Sequence, residues 1–166
     1  MSTLDNLKAA FAGESQANRK YLAFAKKADA DGKPSIARLF RAAAEAETVH
    51  AHAHLRAMKG VGSTDQNLKA AIEGESYEFT KMYPEFVAEA EKEKNQAALI
   101  SFKNAMVVEK THHDLYSKAL AAFQEGKDLD AQRIFVCPVC GHTELNGAPD
   151  KCPVCGVAKD KFIEIH

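Results

Sequence analysis

The 166-residue sequence has no excess of charge of either sign, no apolar run of 18 or more residues, and no cysteine before position 137. Each absence excludes something. A formal net charge of -1, with 27% charged residues, gives no electrostatic footprint for nucleic acid or an anionic membrane, so neither is expected as a partner. Without a long apolar run or a charged-then-apolar leader, the chain is expected to be soluble and cytoplasmic. Glycine and proline are sparse through residues 1–125, where Ala, Glu, Lys and Leu dominate, which is helical composition. The length suits one moderate core with a small appendage.

Stop and cap residues divide the helical part. Asp31-Gly32-Lys33-Pro34-Ser35 and Gly60-Val61-Gly62-Ser63-Thr64 are clear breaks, and Glu93-Lys94-Asn95 is a weaker one. They predict four helices near 3–30, 35–59, 64–93 and 96–125, with Gly126 ending the last. Apolar residues recur at alternating steps of four and three, as in Ile36, Phe40, Ala43 and Ala98, Phe102, Ala105, which predicts a four-helix bundle with one inward seam per helix.

The seams contain an internal repeat. Leu7-Lys8-Ala9-Ala10-Phe11-Ala12-Gly13-Glu14-Ser15 returns as Leu68-Lys69-Ala70-Ala71-Ile72-Glu73-Gly74-Glu75-Ser76, an offset of 61. Glu47-x-x-His50 returns as Glu109-x-x-His112, an offset of 62. Four carboxylates in an apolar seam would not remain ionised unless neutralised, and no seam lysine or arginine is available. Two divalent cations balance the four charges of Glu14, Glu47, Glu75 and Glu109, and His50 and His112 lie on the same helical faces to complete one ion each. A single Glu-x-x-His is common on solvated helices. Two at one offset, each with a seam glutamate before it, form the ferritin-like dinuclear ligand set. Gly13 and Gly74, each a cost of about 1 kcal/mol in mid-helix, suggest close helix approach beside the metals.

All four cysteines fall in two similar knuckles, Cys137-Pro138-Val139-Cys140-Gly141 and Cys152-Pro153-Val154-Cys155-Gly156. In a reducing cytosol this spacing favours one tetrahedral four-sulfur metal site over disulfides, and so short a tail needs the metal to fold. Spacing alone leaves both iron and a structural zinc ribbon open.

Taken together, the motifs resemble the rubrerythrin family over nearly the full length: GESQAN-x-x-Y at 13–21, the two E-x-x-H motifs at 47–50 and 109–112, GE-x-x-E at 74–78, MYP at 82–84, and the two CPVCG knuckles. The resemblance implies a mainly α fold, with a ferritin-like di-iron four-helix bundle over residues 1–130 and a rubredoxin-like four-cysteine iron domain over residues 131–166. It implies peroxide reduction to water, two electrons at a time, with electrons originating in NAD(P)H and arriving from a reductase or rubredoxin through the four-cysteine iron site. It adds Glu78 as a carboxylate that exchanges roles with His50 on reduction, and Tyr21 and Tyr83 as tyrosines beside the di-iron site. A homodimer or higher homo-oligomer is expected, with the tail reaching a partner's bundle because a tail at the end of its own bundle would lie far from mid-bundle metals. His52 is expected at the surface, His54 in the seam, His113 about 100° around the helix from His112, and His142 where rubredoxin-like sites often carry an aromatic. Two other functions fit part of the pattern: a ferritin-like iron-oxidising protein, which leaves the tail unexplained, and a zinc-bound scaffold, which leaves six seam ligands unused.

Overall fold

The computed structural model describes residues 2–166. The chain forms two compact units, Met1–Gly62 and Ser63–His166. The first is a helix pair, α1 (Thr3–Ala30) and α2 (Pro34–Ala57). The second contains α3 (Thr64–Tyr77), a π-helical turn (Glu78–Met82), α4 (Tyr83–Lys92), α5 (Gln96–Gln124) and a three-stranded tail. Among the described residues no helix is long and apolar enough to cross a membrane.

Local chemistry sets the helix ends. Ser2 and Ser63, 61 residues apart, both cap through capping boxes, with Asp5 and Gln66 completing them. Asn95 caps α5 by accepting from the Ala98 N–H at 3.1 Å. At the far ends the chain turns through left-handed residues, Gly32 and Gly126 but also Lys59 and Lys94, and the next N–H reaches back to Ala28, Ala122, Leu55 and Ala90.

In the first unit the helices meet through small side chains. Ala25 and Ala28 of α1 and Ala37, Ala44 and Ala51 of α2 are buried. Buried Asn18 donates to Ala44 O at 2.7 Å and to Thr48 Oγ1 at 2.8 Å, fixing the register of the pair. This contact line lies one position around α2 from the expected seam. The seam itself borders the contact and is half-exposed, Ile36 at 49%, because within the unit a single partner helix covers only one side of it.

The predicted third helix does not run unbroken from 64 to 93. It comprises 14 residues in α3, 5 in the π turn and 10 in α4, one more than the 28 of α1. The repeat shows where the extra residue lies. Up to Ser15 and Ser76 the offset is 61, whereas from Tyr21 and Tyr83 onward it is 62. A one-residue insertion in an α-helix is absorbed as a π turn, here with the Tyr83 N–H donating to Glu78 O. The turn also precedes Pro84, whose missing N–H and ring are tolerated at the start of α4. Beyond it the repeat resumes closely. Tyr21, Phe24 and Phe40 pack at ring separations of 6.3, 6.2 and 5.6 Å, and Tyr83, Phe86 and Phe102 at 6.1, 6.2 and 5.5 Å.

In the tail, β1 (Ile134–Val136) lies between β2 (Thr143–Leu145) and β3 (Ile163–Ile165), antiparallel to both. Arg133 pairs in fork geometry with Glu164 at 2.8 and 2.6 Å and lies over the Phe135 ring. Phe135, Cys137, His142, Ala148 and Cys152 are buried. The tail packs on α5 of its own chain: the position of a Cβ on Gly141 lies 3.7 Å from Val108 Cγ1, and His112 Nε2 is 3.1 Å from Thr143 Oγ1. The wide separation expected from sequence therefore does not hold. Twelve residues of α5 from His112 to Gln124 cover roughly 18 Å, and the eight-residue linker 126–133 reaches roughly 26 Å when extended, enough to fold back.

Candidate metal centre

The i, i+3 spacing puts Glu and His of each Glu-x-x-His motif on one helical face, and the structure joins them. Glu47 Oε2 is 2.9 Å from His50 Nδ1, and Glu109 Oε2 is 2.9 Å from His112 Nδ1. In the first unit Glu14 of α1 joins Glu47 and His50 of α2, and in the second Glu75 of α3 joins Glu109 and His112 of α5. Within each triad the ligand atoms lie inside 4.8 Å of one another. Carboxylate and imidazole ligands bind a metal at about 2.0–2.2 Å, so three atoms this close can share one ion.

The triads differ in their surroundings. His50 is 56% exposed, while His112 is 27% exposed and held at both ring nitrogens. Glu75 is pushed up to about 7, first by burial and then by the nearby Glu109 carboxylate, with His112 opposing. Glu78 is also raised, first by burial and then by the Glu109 carboxylate, with His112 opposing. Tyr83 is raised first by burial and then by Glu109, Glu78 and Glu75 in turn. Without the π turn Tyr83 would leave the Glu75 face. Tyr83 follows Glu75 by eight residues, about 80° off its face on a regular helix, whereas Tyr21 follows Glu14 by seven, about 20° off. The π turn returns Tyr83 to the face. Tyr21 lies in the aromatic cluster of the first unit. A crowded carboxylate such as Glu75, which retains its proton near neutrality, belongs to a donor set that fits cations.

The knuckles repeat at an offset of 15. Cys137 N–H donates to His142 O and Cys152 N–H to Val157 O, both at 2.8 Å, and Gly141 and Gly156 are left-handed with φ of 87° and 76°. At Cys137 burial opposes ionisation, but the N–H groups of Cys140 and Val139 bring the thiol down to about 7. Cys152 is lowered in the same way by Cys155 and Val154 against its burial, while burial raises Cys140 and Cys155. Sulfur separations of 3.5 Å for Cys137–Cys155 and 3.6 Å for Cys140–Cys152 are close to the roughly 3.8 Å edge of a tetrahedron with 2.3 Å metal–sulfur bonds. The four thiols fit one ion and form no disulfide.

A family model described as Rubrerythrin matches residues 5–120, and one described as Rubrerythrin, rubredoxin-like domain matches residues 135–163. The chain belongs to the rubrerythrin family. Rubrerythrin-2 of Clostridium acetobutylicum is 37% identical over 174 residues, covering 96% of this chain and 95% of that protein. Nigerythrin of Nitratidesulfovibrio vulgaris is 39% identical over 175 residues, covering 97% and 85%. A solved structure titled the fully reduced, all-ferrous state of nigerythrin matches with a TM-score of 0.58 at 37% identity, over 99% of this chain and 87% of that one. Rubrerythrins are oxidoreductases of ferritin-like fold that bind di-iron and carry a rubredoxin-like four-cysteine site.

The expectations for His52 and His113 hold, and that for the two repeated glycines does not. A Cβ on Gly13 or Gly74 would meet nothing within 4 Å, so no close approach accounts for these glycines. His52 is exposed and His54 only half-buried. His113 points away from the triad and packs edge-on against Phe79, 5.5 Å between ring centres. His142 is buried, with Nε2 bound to Glu144 at 2.8 Å. Two features were not anticipated: the π turn, signalled by the change of offset from 61 to 62, and Thr143, for which no local signal exists.

Proposed function

We propose that the chain is a hydrogen peroxide reductase acting in oxidative-stress defence, in which Glu14, Glu47, His50, Glu75, Glu109 and His112 hold one dinuclear iron centre and Cys137, Cys140, Cys152 and Cys155 hold a mononuclear iron. Bound there, two ferrous ions supply one electron each, the pair that reduces hydrogen peroxide with two protons to two waters. The reading rests on one observation above others: the four-cysteine knuckle lies against the helix that carries Glu109 and His112. A ferritin-like ferroxidase has no use for a thiolate metal site placed there, and a zinc scaffold leaves the six carboxylate and imidazole ligands unused.

The protein's own groups have separable tasks. The four glutamates neutralise the cations, and the two imidazoles complete their coordination. Glu78, whose carboxyl is raised by burial and by Glu109, would be the additional carboxylate available to a bound centre in exchange for the more exposed His50. Tyr83 keeps its proton, because burial first and nearby carboxylates second raise it, and is a hydrogen-bond donor to an oxygen ligand. Tyr21 is the matching hydrogen-bond donor of the first copy. NAD(P)H is the ultimate reductant, through a reductase or rubredoxin docking at the tail, and the working form is a homodimer or higher homo-oligomer in the cytoplasm. Steady-state peroxide consumption by the iron-loaded chain with a reductase and NAD(P)H tests the activity. Turnover that disappears in Glu78→Ala supports it, and no turnover in the unaltered iron-loaded chain removes it.

A further inference from the structure

The two copies of Glu-x-x-His are equal in sequence but not in surroundings. His50 contacts Glu47 through Nδ1 and otherwise lies largely exposed. His112 contacts Glu109 through Nδ1 and, through Nε2, Thr143 Oγ1 of the tail at 3.1 Å. Thr143 Oγ1 is in turn 3.2 Å from the carbonyl of Gly141, the residue after Cys140. Beside the pair is a cavity of about 290 Å³ whose lining includes Leu68, Leu115 and Leu145, so the contact lies in apolar surroundings where a hydrogen bond is strong.

A threonine hydroxyl has one proton, so the chain has two internally consistent arrangements. If His112 Nδ1 carries the imidazole proton toward Glu109, Nε2 accepts from Thr143 and the Gly141 carbonyl goes without. If Nδ1 is occupied by a cation, Nε2 holds the proton and donates to Thr143 Oγ1, whose hydroxyl then donates to Gly141 O. Only the second satisfies every contact in the chain.

We propose that Thr143 is a positioning residue: its hydroxyl holds His112 in the Nε2–H tautomer with Nδ1 free for the metal, and ties that ligand to the first cysteine knuckle. His112 is thereby the anchored histidine of the repeat. The inference rests on the reading of His112 as a metal ligand. A metal-bound imidazole whose other nitrogen is hydrogen-bonded is oriented and made more basic, and loss of such a partner costs about 10- to 100-fold in metal affinity.

The test uses the full chain loaded with zinc, which is diamagnetic, and compares it with Thr143→Val and Thr143→Ser. Long-range ¹H–¹⁵N spectra of the imidazoles report which nitrogen is metal-shifted and which holds a slowly exchanging proton, and competition against a chromophoric chelator gives zinc affinity. The expected result is a metal-shifted Nδ1 and a protected Nε2–H at His112 in the unaltered chain and in Thr143→Ser. Thr143→Val, similar in shape, loses the protection and about 10-fold or more in affinity at one site. Val behaving like the unaltered chain in both readouts overturns the proposal, as does Ser behaving like Val. An unshifted His112 Nδ1 in the zinc-loaded unaltered chain removes the ligand reading itself, and the proposal with it.

Discussion

Deleting Thr80 should turn the helix from Thr64 to Lys92 into a regular α-helix of the same length as α1, and the cost can be worked from Pro84. In the unaltered chain the π turn absorbs one surplus residue and ends where α4 begins, so Pro84 sits in a first turn that needs no N–H. Removing exposed Thr80, whose hydroxyl donates to Ser76 O at 2.5 Å, leaves the register of the first copy. Tyr83 remains on the Glu75 face, but Pro84 becomes an interior residue with its ring against the carbonyl of Phe79, at about 3 kcal/mol. The first copy has Leu22 at the matching place. Combining the deletion with Pro84→Leu should therefore recover most of that loss, while Pro84→Leu alone should shift stability by less than about 1 kcal/mol. Urea unfolding of the metal-free chain, followed by far-ultraviolet circular dichroism, measures all three. The double variant should regain stability in the same unfolding measurement. A deletion that costs under about 1 kcal/mol, or that Pro84→Leu does not rescue, would refute the reasoning.

Other perturbations have equally definite outcomes. Glu75 holds its proton up to about 7 in the folded metal-free chain against 4.5 ordinarily, so its contribution to stability is full below 4.5 and is lost as pH rises through about 7. Metal must displace that proton, so zinc affinity measured by calorimetry should rise across this window, and Glu75→Gln should flatten the pH dependence of metal-free stability. A metal-free chain whose stability shows the same pH dependence with and without Glu75→Gln would contradict the assignment. Cys152→Ser should abolish the ferric-thiolate absorption and the cooperative unfolding of the tail, while far-ultraviolet helical signal stays nearly unchanged. Lys94→Gly should stabilise the chain by about 1 kcal/mol in thermal unfolding, because Lys94 occupies a left-handed conformation at a helix end.

The ligand triads were legible in the sequence because i, i+3 spacing on a helix is itself a geometric statement, and the knuckles because Cys-x-x-Cys brings two sulfurs to one ion. Break positions were legible too, except that α2 ends through Lys59, not a glycine, since backbone hydrogen bonds to Leu55 can carry a lysine into the left-handed region. The burial pattern was not. Ala37, Ala44 and Ala51 are no more apolar by letter than the neighbouring seam, and only the approach of α1 decides which line is covered. The π turn was present as a slip of one residue between two offsets, yet it acquires meaning only once the aromatic trios are seen to match beyond it. Thr143 had no signal, because its role depends on a contact with His112 made 31 residues away along the chain.

That the two metal centres work as one redox system is tested most directly by reducing the iron-loaded chain anaerobically and adding one equivalent of hydrogen peroxide while both chromophores are followed. Rapid oxidation of the dinuclear centre, followed by return of the ferric-thiolate absorption as the tail iron gives up its electron, is the predicted result. A dinuclear centre that oxidises while the tail iron stays reduced, or a chain that does not react with peroxide, would contradict it.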